Sequence, residues 1–190
     1  MPFSESQRRV LLSTAWQSIR HGLETGRALT VEVDRIETRL TEPGASFVTL
    51  HSGQELRGCI GTLEAHRPLI CDVAENAYAA AFRDPRFAPV KNSELDDIHL
   101  DISVLGPAEP MTFESEHDLL HKIRPMVDGL IMKDGNFRGT FLPSVWSSLP
   151  TPEEFLQHLK LKAGLPTDHW SDTLEVWRYT TESFGDQDDE

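Results

Sequence analysis

The run Leu56–Thr62 holds the residues of this chain that are best suited to chemistry. Cys59 stands between Gly58 and Gly61, and Arg57 lies two positions before the cysteine. Glycine lets a ligand or a second chain come close to the backbone, and a nearby cation favours the thiolate form of cysteine. We therefore predict that Cys59 is reactive, as a nucleophile, a redox thiol or a metal ligand. The alternative is a small buried hydrophobic residue, which free cysteine often is.

Further charged residues could form one polar pocket with this cysteine. Two arginines could recognise a carboxylate or a phosphate, while acidic side chains could position a proton. The five candidates are Arg57, Asp84, Arg86, Glu94 and Asp128. We assign Arg57 to catalysis with Cys59 and the other four to substrate binding. A network of salt bridges that fixes loops is an equally good interpretation of these residues.

This sequence gives little support to other kinds of catalytic, metal-binding or cofactor-binding site. Cys71 falls in an apolar helical segment, so we predict that it packs in the core. Two cysteines do not make a disulfide framework, and neither belongs to a C-x-x-C pair, which argues against zinc-ribbon and thioredoxin-type sites. His117 and His121 are four residues apart without a third candidate ligand nearby, so we propose no metal site. No phosphate loop or dinucleotide fingerprint occurs, and the cofactor is left undetermined.

Composition and charge argue against several classes of protein. Acidic residues outnumber basic ones by 31 to 18, and the formal charge of −13 repels nucleic-acid phosphates. We therefore expect no direct nucleic-acid binding. The chain has no apolar run near the roughly 18–20 residues that span a bilayer, and its first residues lack the pattern of a secretory signal. We expect no membrane contact and a cytoplasmic location.

Hydrophobic periodicity and turn signals predict the elements that must position these residues. The predicted helices run from Ser4 to about Gly22, from Pro68 to about Phe82, from Ser115 to Ile123, and from Thr151 to Gly164. The predicted strands are Phe47–Leu50, Leu56–Ile60, His99–Val104, residues 130–132, a strand from Phe137 onward, and a final strand at Leu174–Trp177. Gly185–Glu190 is predicted to be an acidic, disordered tail.

These elements predict an α+β fold with a largely antiparallel sheet and packed helices, because hairpins join most of the strands. The alternation in His99–Val104 should turn Leu100, Ile102 and Val104 towards the Pro68–Phe82 helix. Cys59 should then lie near the end of the returning strand of the first hairpin. On a regular strand, the side chain of Arg57 would project to the same face as that of Cys59.

Several separate motifs, in one order along the chain, resemble a known family. They are Leu56–Gly61, Asn76–Phe82, Asp84–Phe87, Ile102–Leu105, Asp128–Leu130 and Lys162–Leu165. Over about Phe47 to Phe184, the chain resembles the AMMECR family, also called protein A of the AmmeMemoRadiSam system. The resemblance implies one AMMECR-type domain over residues 1–184, with a smaller subdomain. It also implies a Memo-family protein and a radical S-adenosylmethionine protein as partners, without implying a reaction.

Two functions follow as hypotheses. In the first, the chain is a cysteine-dependent enzyme component that acts on an anionic small molecule or a modified macromolecule, with Cys59 as its thiol. In the second, it is a non-catalytic binding module that presents the same pocket to a Memo-family or radical S-adenosylmethionine partner. An open thiol beside Arg57 and Arg86 would favour the enzyme, whereas a buried sulfur without polar neighbours would favour the module.

Overall fold

Helices and antiparallel sheets make up the computed structural model, which describes residues 2–187. The α-helices are α1 (Glu5–Thr25), α2 (Thr38–Thr41), α3 (Leu69–Phe82), α4 (Glu116–Lys122) and α5 (Pro152–Ala163). The strands are β1 (Pro43–Gly44), β2 (Ser46–Ser52), β3 (Glu55–Gly61), β4 (Arg67–Pro68), β5 (Ile98–Leu105), β6 (Glu109–Pro110), β7 (Gly129–Asp134), β8 (Phe137–Phe141), β9 (Glu175–Tyr179) and β10 (Thr181–Gly185). The predicted α+β class is confirmed.

The described chain divides into two compact units. The first unit contains the described residues up to Leu105 and those from Glu182 onward. The second and smaller unit is Gly106–Thr181. Each unit has its own four-stranded sheet, and each sheet packs with helices of the same unit into a separate hydrophobic core.

The sheet of the first unit has the strand order β10-β5-β2-β3, which leaves β3 at an edge. Strand β5 alternates between buried and half-buried residues along its whole length. Leu100, Ile102 and Val104 are buried in one cluster with the apolar face of α3, as predicted from their spacing. The helices α1 and α3 therefore cover one face of the sheet, and the alternate side chains of β2, β3 and β5 point to the other.

The first helix begins and ends at residues that cap it. The Ser4 side chain accepts a hydrogen bond from the Gln7 amide, and the Gln7 side chain accepts one from the Ser4 amide, so the predicted capping box is present. The helix runs three residues beyond the predicted end at Gly22. It stops at Gly26, whose φ of 72° is in the left-handed region that glycine adopts readily.

The C-terminal strand β10 was not predicted, because its residues are mostly polar and carry no strong apolar alternation. It ends at Gly185, inside the segment that was predicted to be a disordered tail. Asp186 accepts hydrogen bonds from the Trp16 indole and the Leu100 amide, at 3.0 and 3.1 Å. Ordered structure therefore extends into the first residues of that segment, and residues 188–190 lie outside the described part of the chain.

The second unit has the sheet order β6-β9-β7-β8, with α5 packed on it. The predicted hairpin turn lies between β7 and β8, where Gly135 has a φ of 58°. The rings of Trp146 and Phe155 stack in the core at 3.9 Å between centroids. Within residues 2–187, no helix is both long enough and apolar enough to span a membrane.

Candidate functional site

The thiol of Cys59 lies on the face of the first sheet that points away from the helices. Cys59 is paired with Thr49 on β2, and Thr49 is in turn paired with Asp101 on β5. The three side chains therefore follow one row across the sheet. We call the surface made by Thr49, His51, Cys59 and Asp101 the outer face. Each of these four residues is partly exposed to solvent.

The thiol has a polar neighbour on this face. Thr49 Oγ1 donates a hydrogen bond to Cys59 Sγ at 3.3 Å. A hydrogen bond that is donated to sulfur stabilises the negative charge of a thiolate. Cys59 is therefore not the buried hydrophobic residue of the alternative interpretation, because the residue is partly exposed and its sulfur is hydrogen bonded.

The glycines on either side of the cysteine leave room for close contacts. A side chain at Gly58 would overlap the carbonyl oxygen of Ala80 on α3, and one at Gly61 would overlap the ring of Phe47. Neither glycine is among the described residues with a positive φ. Gly58 and Gly61 are therefore explained by close packing against Ala80 and Phe47.

Asp84 and Arg86 bind the free edge of β3 at Cys59. Asp84 Oδ2 accepts a hydrogen bond from the Cys59 amide at 2.9 Å, and Arg86 Nη2 donates a long one to the Cys59 carbonyl at 3.4 Å. The same arginine donates to both carboxylate oxygens of Asp84, at 3.0 and 2.7 Å. This cluster of Cys59, Asp84 and Arg86, which we call the edge cluster, occupies both backbone groups of the cysteine.

The electrostatics of the edge cluster follow from burial and hydrogen bonding. The side chain of Asp84 is only 2% exposed, whereas that of Arg86 is 54% exposed. Hydrogen bonds from the Arg86 guanidinium hold the pKa of Asp84 far below its usual range. The bond to Asp84 raises the pKa of Arg86, and the charge of a Cys59 thiolate raises it further. A half-exposed guanidinium, paired on one side with the buried Asp84 carboxylate, therefore lies beside the backbone of the cysteine.

Arg57 has a different environment from the one expected on a regular strand. The pairing of β2 with β3 shifts between Leu50 and His51, and Arg57 is the unpaired residue at this irregularity. Its guanidinium binds Glu94 at 2.9 and 3.3 Å. These bonds lower the pKa of Glu94, which also accepts from the Lys91 amide. Because the strand is irregular at Arg57, its two-residue separation from Cys59 does not place the two side chains on one face. The Glu94 carboxylate also neutralises the charge of Arg57.

Asp128, the remaining predicted residue, belongs to the second unit. Its buried carboxylate accepts hydrogen bonds from the Arg124 amide and guanidinium, at 2.6 to 3.0 Å. Its carbonyl oxygen accepts from the Trp146 indole at 2.7 Å. These contacts hold the loop before β7, which is the loop-fixing role that the sequence offered as an alternative.

The structure therefore groups the six predicted residues in three places. Cys59, Asp84 and Arg86 form the edge cluster, while Arg57 with Glu94 forms an ion pair beside the same strand. Asp128 has its contacts within the second unit. The sequence analysis missed Thr49 and Asp101. Alternation on β2 and β5 places both on the outer face, but their alignment with Cys59 depends on strand register.

The second cysteine has the surroundings predicted for it. Cys71 is half-buried on α3 and packs against the core of the first unit. Burial raises the pKa of Cys71, although the charge of Arg67 opposes this effect. His117 and His121 stack on α4 with ring centroids 4.2 Å apart. Across residues 2–187, no group of three or more His, Cys, Asp or Glu side chains is arranged to hold a metal ion.

The fold resembles that of a solved structure over almost its whole length. The crystal structure of an uncharacterised protein from Pyrococcus horikoshii is similar to this chain with a TM-score of 0.84 and 34% sequence identity. The similarity covers 93% of this chain and 90% of the other. The class defined by the fold is therefore an α+β protein with antiparallel sheets in two units.

Sequence comparisons give the family. The AMMECR1 family matches residues 12–184. A protein of Methanothermobacter thermautotrophicus is 41% identical over 189 residues, covering 96% of each chain. A protein of Thermotoga maritima is 43% identical over 141 residues, covering 73% of this chain and 76% of that one. The chain belongs to the AMMECR1 family.

Proposed function

We propose that this chain is a cysteine-dependent enzyme component that acts on an anionic small molecule or a modified macromolecule. Cys59 is the nucleophile, and Arg86 attracts the negative group of the substrate. The observation that carries the proposal is the edge cluster, in which a half-exposed guanidinium binds the backbone of a partly exposed cysteine.

Three features of the edge cluster support this chemistry. The Thr49 hydroxyl donates a hydrogen bond to the sulfur, and the Arg86 guanidinium lies at the Cys59 backbone, which are the kinds of neighbour found at nucleophilic cysteines. Asp84 binds the Cys59 amide and holds the strand edge in place. Arg57 and Glu94 brace the same strand at its irregularity, so in this proposal they position the cysteine and do not contact the substrate. Asp128 has no assigned step.

Ion pairing favours a second candidate function, a non-catalytic binding module. Three of the predicted acids, Asp84, Glu94 and Asp128, each bind an arginine, so their contacts support the backbone and leave them without an evident catalytic step. In this alternative, the module binds a Memo-family protein or a radical S-adenosylmethionine protein of the AmmeMemoRadiSam system. Co-elution of the purified proteins would test the partnership, and unchanged binding by Cys59→Ser together with an inert thiol would favour the module.

The proposed thiol chemistry is tested with two alkylating reagents that differ in charge. Iodoacetamide is neutral and iodoacetate is anionic, but both react with the same thiolate. We expect Cys59 to label faster than Cys71 in the native protein. We also expect Arg86→Gln to lower the ratio of iodoacetate to iodoacetamide rates about fivefold, the effect of roughly 1 kcal/mol between two charges 4 Å apart in water. Mass spectrometry of peptides would identify the labelled cysteine.

Matched variants separate charge from structure in this experiment. Arg86→Lys keeps the positive charge and should restore most of the ratio. Arg57→Gln should change the ratio less, because the Arg57 side chain is only 15% exposed whereas that of Arg86 is 54% exposed. Thermal unfolding of each variant would show that the fold is intact. A Cys59 that stays unlabelled until the protein unfolds would contradict the enzyme proposal.

A further inference from the structure

The outer face carries a histidine and a carboxylate beside the row of Cys59. His51 Nδ1 lies 3.1 Å from Asp101 Oδ2. The two side chains are 34% and 49% exposed, so the pair lies open to solvent together with the thiol. None of the roles assigned above uses this pair.

We propose that His51 is the proton acceptor for Cys59 and that Asp101 orients His51. This inference rests on the proposed function, because it assumes that the thiol reacts. The Cys59 S–H proton moves to His51 Nε2, and the electron pair of the S–H bond remains on sulfur. The products are a thiolate and an imidazolium, and the Asp101 carboxylate stabilises the imidazolium.

Strand register brings the groups together. Cys59 is the direct partner of Thr49, and His51 lies two residues further along β2. The pairing of β2 with β5 is regular over this stretch, so Thr49 and His51 both point to the outer face although β3 is irregular at Arg57. Diagonal neighbours of this kind are about 7–8 Å apart in an antiparallel pair, and their side chains come closer. In this proposal a bridging water molecule or a substrate atom carries the proton from the sulfur to the ring nitrogen.

The bond to Asp101 selects the useful tautomer of His51. A carboxylate accepts a hydrogen bond from Nδ1–H, which leaves Nε2 with its lone pair. Asp101 on β5 is paired with Thr49 on β2, two residues before His51, and this register brings the Asp101 carboxylate to the His51 ring. The arrangement therefore has the three parts of an assisted nucleophile: a thiol, a base and a group that orients the base.

The other charged or titratable groups near His51 determine which control variant the experiment needs. His99 on β5 is the direct partner of His51 and lies within hydrogen-bonding distance of Gln187. On β3 the partner of His51 is Leu56, and the neighbouring Arg57 is neutralised by Glu94. His99 shares the strand row of His51 and is partly exposed too, so it is a matched control.

The experiment measures the rate of iodoacetamide labelling of Cys59 against pH in a Cys71→Ser background. His51→Asn keeps a donor for Asp101 but has no base at the Nε2 position, and His51→Gln is the second variant. We expect either one to slow labelling at pH 7 about tenfold, and the difference should shrink as the pH rises and the thiol ionises without a base. Asp101→Asn should have a smaller effect in the same direction, and His99→Gln should leave the profile unchanged.

Rates at high pH separate proton transfer from structural damage. Above about pH 9.5 a free thiol is largely ionised without help, so all folded variants should label at the same rate. If Cys59 labels in the native protein but neither His51 variant changes the profile, the role of His51 is overturned and the proposed function stands. The same holds if His99→Gln slows labelling as much as His51→Asn. If Cys59 is inert in the native protein, both proposals fail.

Discussion

Replacing Gly58 with valine should destabilise this protein more than any change to the cysteine beside it. The first carbon of a new side chain would overlap the Ala80 carbonyl oxygen, which belongs to the backbone of α3. A backbone oxygen inside a helix cannot rotate away, so the strand and the helix must separate. We expect the free energy of unfolding to fall by about 3 kcal/mol or more, the upper part of the range for overpacked sites. Urea unfolding of the purified variant measures this loss.

Two neighbouring variants serve as comparisons for Gly58→Val. Gly61→Val should cost less, because the overlapping group is the ring of Phe47, a half-buried side chain that can turn aside. Cys59→Ser should cost least, since its side chain points to the outer face and serine is of similar size. Equal losses in all three variants would show that Cys59 is a packing residue and would remove the main structural argument for a functional thiol.

The second large effect is expected for Asp84→Asn, which should also lower the free energy of unfolding. An amide cannot make the charge-assisted bonds that Asp84 accepts from Arg86, and these are stronger than neutral hydrogen bonds. We expect a loss of about 2–3 kcal/mol at pH 7, below the usual cost of breaking a fully buried pair because Arg86 is half exposed. Chemical unfolding at neutral pH measures the difference from the unchanged protein.

The pH dependence of this difference gives a second readout. The pKa of Asp84 is lowered in the folded protein, chiefly by its bonds to Arg86. Stability from such a group is fully present above the pKa of the unfolded chain, near 3.9, and is lost as the pH falls towards the lower folded value. The gap between the unchanged protein and Asp84→Asn should therefore be widest at neutral pH and should narrow below about pH 4.

Asp118→Asn is the matched control for Asp84→Asn. Asp118 also accepts from a cation, Lys122, but both side chains are substantially exposed at the surface of α4. The loss of stability should therefore be much smaller, and its change with pH much weaker, than for Asp84. An Asp84→Asn variant as stable as the unchanged protein at pH 7 would show that the edge cluster does not hold β3, and Cys59 would lose its proposed support.

Local and periodic features of this protein were determined by the sequence alone. The capping box of α1, the turn at Gly135 and the alternation of β5 depend on residues within a few positions of each other. Such patterns can be recognised in the sequence because polar and apolar residues repeat with the period of a helix or a strand. The α+β class followed from them, and so did the buried face of β5.

The composition of the site was decided by the tertiary structure. Arg57 lies at an irregularity in the pairing of β2 with β3, and there it forms an ion pair with Glu94. The Asp84–Phe87 turn folds onto the exposed edge of β3, and this brings Arg86 to Cys59. Likewise, Asp101 meets His51 because of the register of β5 on β2. These contacts join residues 27 to 50 positions apart in the sequence. No local pattern encodes such contacts, since the register of paired strands and the docking of a turn are set by packing across the whole unit.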